Sequence, residues 1–130
     1  MSSEEYRVFD RTSFPRERPE PLAPTVNFSA TTGVVYLSKG TCQLMALHAG
    51  DRLEIVQRGN DPLALGIRKT NNEMGFKIHQ KKDGQCFAAA RLVRNILLGF
   101  GRSESTTVQL ASEPTNGIYW IMRGSIDRRP

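Results

Sequence analysis

The residue types able to do chemistry are few in this 130-residue chain: two cysteines, Cys42 and Cys86, and two histidines, His48 and His79. A zinc site needs three or four soft or carboxylate ligands at short, matched spacings, and none of these four pairs with another two to four residues away. Cys42 and Cys86 are therefore expected as small buried hydrophobes, His48 at a helix end and His79 on a strand surface. Covalent catalysis by Cys86 or Ser38 would require an adjacent base and an orienting acid, and neither is suggested locally. Phosphate loops of the GxxxxGKS or GxGxxG type are missing. The glycines of LGFGRS, Gly99 and Gly101, follow an amphipathic segment rather than precede one, which suits a helix end. The expectation is a protein that is not an enzyme, with no catalytic residues, no metal and no cofactor.

The cations are more informative. The chain carries a formal charge of +5 and a pI near 9.6, distributed unevenly. Residues 1–24 hold four arginines against five acids, whereas residues 25–130 hold 14 basic and eight acidic residues. A basic folded part favours a polyanionic partner, nucleic acid first. The candidate contacts are Lys77, Lys81 and Lys82 around the Asp83-Gly84 turn, Arg91 and Arg94 one helical turn apart, and Arg58, Arg68, Lys69 and Arg102 at expected strand ends.

The elements that must position these residues begin after an arm. Residues 1–24 contain Pro15, Pro19, Pro21 and Pro24 among mixed charges and show no periodicity, so a disordered, Pro-rich arm is expected, able to dock on a partner or on another subunit. The low mean hydropathy of −0.42 fits a chain partly outside its core. From Thr25 the pattern becomes strand, turn at Gly33 and strand (VNFSA, VVYLS), then a short helix KGTCQLMAL capped by Ser38 and ended by Gly50. LEIVQ, the turn GNDP and LALGIRK complete a ββαββ unit over residues 25–70. Residues 75–124 repeat that order: GFKIHQ, a KKDG turn, QCFAA, the helix AARLVRNILLGF with Leu92, Val93, Ile96 and Leu97 as its stripe, then TTVQLAS, EPTNG and IYWIMRG. Gly33 matches Gly84, Leu44 matches Asn95, and the turn before Leu63 matches the one before Ile118, with an insertion near Ser103–Ser105. A short basic tail, 125–130, follows.

One unit of this size buries too little apolar surface to stand alone. Two copies interleaved about a pseudo-two-fold axis would close a small barrel with few free edges. The expected fold class is thus mainly β with two short helices, as tandem ββαββ repeats in such a barrel. The stretch TGVVYLSKGTCQLMALHAGDRLEIV resembles the GD-box segment of the cradle-loop barrels, and among them the AbrB-type swapped-hairpin DNA-binding domains; Gly50-Asp51 would be the GD box. Two such halves in one chain are similar to the MraZ arrangement. The second half departs from the pattern, with Gly101-Arg102 where Gly-Asp would stand. VVYLSKG also replaces the arginine-rich helix start, which leaves the family's DNA contacts without counterparts here. The resemblance implies a DNA-binding transcriptional regulator, or a nucleoid or phage DNA-associated factor, working as a homo-oligomer.

The competing expectations are a structural or assembly protein, virion-associated for example, that uses its arm on a partner subunit, and a small-ligand-binding barrel. With no apolar leader and no bilayer-length apolar run, no membrane partner is expected and the location expected is cytoplasmic.

Overall fold

The computed structural model describes residues 23–82 and 84–126; most of the expected arm and the end of the expected basic tail lie outside them. Strand β1 (Thr25–Phe28) alternates as its sequence does, with Val26 and Phe28 buried, and β2 (Val34–Leu37) buries Val35 and Leu37. The turn between them is closed by Ser29 N–H to Val34 O at 3.0 Å and Gly33 N–H to Ser29 O at 2.9 Å. Gly33 has φ +69° and a Cβ there would fall 2.7 Å from Ala90 Cα, so the position demands glycine on two counts.

Helix α1 (Lys39–Met45) starts at Ser38, whose Oγ accepts from Thr41 N at 3.1 Å and from Thr25 N at 2.9 Å. Two amides thus share one hydroxyl, so Ser38→Ala is expected to cost about 1–2 kcal/mol, measured by urea denaturation. The helix ends earlier than expected. Ala46, at φ 51°, takes the left-handed position, and Leu47 N–H closes back on Cys42 O at 2.8 Å. Gly50 instead lies in the following loop at φ +95°. Burial of Leu47 (3% exposed) supplies a tertiary reason for turning the chain there.

Strands β3 (Arg52–Gln57) and β4 (Leu65–Thr70) pair antiparallel over six residues each. The expected single strand GFKIHQ is two strands, β5 (Phe76–Lys77) and β6 (His79–Lys81), broken at buried Ile78. They are followed by β7 (Gly84–Ala88), α2 (Ala90–Gly99) and β8 (Thr106–Gln109). Buried Val93, Ile96 and Leu97 form the core side of α2, and Gly101 at φ +72° follows its end. IYWIMRG contributes only β9 (Tyr119–Trp120), because the chain then turns into a third helix, α3 (Arg123–Ile126), that inserts Ile126 into the core.

The strands form two antiparallel sheets, ordered β6-β7-β2-β1-β8 and β5-β3-β4-β9. This corrects the expectation of a single closed barrel. The ladders are interrupted at Ile78 and beyond Gln109, where only local links cross: Ile78 N–H to Asp51 O at 2.8 Å, Gly50 N–H to Ile78 O at 2.9 Å, and a lone bridge between Leu110 and Ile121. The shared core includes Val26, Phe28, Val35, Leu53, Ile67, Phe87 and Val108, joined by α2 and α3. Phe76 stacks on Phe87 at 4.9 Å and Phe28 meets Phe100 edge-on at 6.0 Å. Among the described residues no helix is long and apolar enough to cross a membrane.

Candidate nucleic-acid interface

The nine candidate cations separate into two groups. Four are engaged by the protein itself. Arg68 stands directly opposite Glu54 in the β3–β4 ladder and its guanidinium lies 3.5 Å from that carboxylate. Lys69 Nζ donates to Ala46 O at 2.9 Å, steadying the end of α1, and lies 3.4 Å from Asp51. Arg58, just past β3, lies over the Trp120 ring at 4.6 Å. Arg102, in the connection from α2 to β8 rather than at a strand end, donates to Ile126 O at 2.7 Å and so holds α3. The expectation that Arg58, Arg68 and Lys69 stand at strand ends is met only loosely, since Arg68 and Lys69 lie within β4.

The other five are exposed and have no acidic partner among the described residues: Lys77 on β5, Lys81 on β6, Lys82 in the turn, and Arg91 and Arg94 on α2. They fall on one continuous piece of chain. Residues 75–102 contain six lysines and arginines and a single acid, Asp83. In sequence, β7 lies between the lysine group and the arginine group. β6 is an edge of the five-stranded sheet and β5 an edge of the four-stranded one, so the lysines project from strand borders where backbone groups are also accessible.

Gly50 and Asp51 clasp the break between β5 and β6, through Gly50 N–H and Asp51 O, and thereby place Lys77 and Lys81 on either side of Ile78. The Asp51 carboxylate accepts His48 N–H at 2.8 Å. That bond, with Lys69 nearby, holds its carboxyl below the ordinary aspartate range despite some desolvation. A group whose folded pKa is depressed contributes stability that is fully present above its unfolded pKa and lost as pH falls through the folded one. Asp51→Asn is therefore expected to lower Tm at neutral pH and to flatten the decline of Tm below about pH 4, read by thermal melts across that range.

The remaining polar groups are placed without chemistry in view. Cys86 is buried as expected. Cys42 is only half-buried, with its thiol donating to Gln85 Oε1 at 3.4 Å and pushed up in pKa by burial. His79 is exposed opposite Cys86 and His48 is exposed after α1. Among the described residues, no three of the His, Cys, Asp and Glu side chains gather as a metal site would need. Sequence reasoning found the turn at Gly33 but not that residues Ser29–Gly33 line a cavity together with Arg94 and Arg102; the run of small hydroxyl residues before the glycine was the available signal. Set against protein-family models, curated proteins and solved structures, the chain matches none of them.

Proposed function

We propose that this chain is a duplicated, non-enzymatic DNA-binding module whose contact surface runs from Lys77 to Arg94. The observation that carries the reading is the set of five exposed cations on the β5–α2 segment that have no acidic partner among the described residues, in a protein whose Asp51, Glu54 and Asp61 are each paired elsewhere. Exposed, unpaired lysines and arginines are what phosphate contacts require, because neutralising phosphates releases condensed counterions.

The pairing pattern supports the duplication. Matching β1, β2, α1, β3 and β4 with β5–β6, β7, α2, β8 and β9 turns the β1–β2 hairpin into β6–β7. It turns the β1–β8 ladder into β5–β3, and leaves β2–β7 and β4–β9 as pairings of equivalent strands with each other. A pseudo-two-fold axis produces these pairings, while the six-residue β3–β4 ladder has only the Leu110–Ile121 bridge as its counterpart between β8 and β9. The role proposed is that of a transcriptional regulator or a nucleoid or phage DNA-associated factor, cytoplasmic and homo-oligomeric, with residues 1–24 docking on a neighbouring subunit.

The test is fluorescence anisotropy of the full chain with a labelled random-sequence duplex at low salt. Saturable binding is expected. Absence of binding at low salt sinks the reading, and assembly through residues 1–24, examined by deleting them, becomes the account to pursue.

A further inference from the structure

A cavity of about 390 Å³ opens between the Ser29–Gly33 turn and α2, within the size range of small-ligand sites. Its α2 wall carries Ala90, Val93, Leu97 and Leu98 beside Arg94. Val93 and Leu97 form the floor as part of the core, and Leu98 at the mouth is 68% exposed. Leaving so large an aliphatic group in water has a cost that an apolar ligand would recover. The opposite wall is a fixed set of hydroxyls. Ser29 is 6% exposed, Thr32 Oγ1 donates to Ser29 Oγ at 2.8 Å, and Thr31 Oγ1 lies 3.2 Å from the same atom.

Arg94 and Arg102 line the same cavity, and none of its lining residues is acidic. Arg102 is held in place by Ile126 O, and a guanidinium has further N–H groups to offer a second acceptor. An apolar floor, a hydroxyl wall and two lining arginines complement one kind of molecule. We propose that this cavity binds a small amphipathic anion, an apolar body ending in a carboxylate or a phosphate. The inference goes beyond the DNA-binding reading, since Leu98, Val93 and the hydroxyl turn have no part in phosphate contacts along β5 and β6.

The experiment is calorimetric titration of the full chain with decanoate and with octyl phosphate, each below its micelle concentration, and with decanol as the uncharged comparison. One-to-one saturable binding of at least one anion below about 1 mM is expected, with decanol at least tenfold weaker. Decanoate binding alone assigns a carboxylate ligand, and octyl phosphate binding alone assigns a phosphate. Arg102→Gln is expected to weaken the anion at least tenfold; since it also releases Ile126 O, Leu98→Gln at an exposed position provides the second variant. Leu98→Gln is expected to weaken the anion at least fivefold while leaving duplex affinity within twofold, which separates this site from the DNA surface. The proposal is overturned if neither anion binds saturably, if decanol binds as well as the anions, or if Leu98→Gln leaves anion binding unchanged.

Discussion

Phe87→Ala is expected to destabilise the protein by about 3–5 kcal/mol, the usual cost of removing a fully packed aromatic ring. Phe87 is 2% exposed, occupies β7 opposite Val35, and stacks on Phe76 of β5 at 4.9 Å. It thus joins the central pairing of one sheet to the edge of the other at a place where no ladder crosses. Truncation forfeits the transfer energy of the ring and leaves a cavity that strands on two sides cannot collapse to fill. A domain of this size has about 5–15 kcal/mol in total, so the variant should lose a large share of it, with an urea midpoint lowered to match. A loss under about 1 kcal/mol would mean that the two sheets do not depend on this contact.

The second large effect concerns the surface. Replacing Lys81, Lys82, Arg91 and Arg94 together by glutamine is expected to reduce duplex affinity roughly 100-fold at low salt, if each exposed contact is worth about 0.7 kcal/mol. All four are exposed and none takes part in an ion pair among the described residues. Their removal should therefore change stability little, within about 0.5 kcal/mol per site. Neutralising Arg58, Arg68 and Lys69 offers the contrast. Those side chains serve Trp120, Glu54 and Asp51, so the expected loss appears in Tm before it appears in affinity.

Much of the fold was legible because its signals are local. Gly33 announces a turn that needs positive φ, and Ser38 announces a helix start. Val93, Ile96 and Leu97 keep a helical period that α2 buries as the pattern requires. What failed depends on contacts distant in sequence. Ile78 looks like the middle of one strand until Gly50 and Asp51, in the loop before β3, bind its backbone. Ala46 has no side-chain signal for a left-handed residue, and the burial of Leu47 decides the turn. Ile121 resembles a strand residue, yet the chain bends after it so that α3 can bury Ile126.

The site divides in the same way. The sequence marks every cation, but whether a lysine is free depends on what lies across the ladder. Arg68 meets Glu54 only because the β3–β4 register sets them opposite, and Arg102 meets Ile126 O only because α3 folds back. The cavity beside Leu98 was hidden for the same reason, since its two walls are some 60 residues apart along the chain.

The most direct test of the DNA-binding reading is the salt dependence of duplex binding, compared between the unaltered chain and the variant with Lys81, Lys82, Arg91 and Arg94 changed to glutamine. The logarithm of affinity should fall linearly with the logarithm of salt, with a slope of about −0.9 per phosphate contact. The fourfold variant should have a slope smaller in magnitude by about 3–4. A slope that is the same in both proteins, or binding that ignores salt altogether, would contradict the assignment of these four cations to the DNA surface.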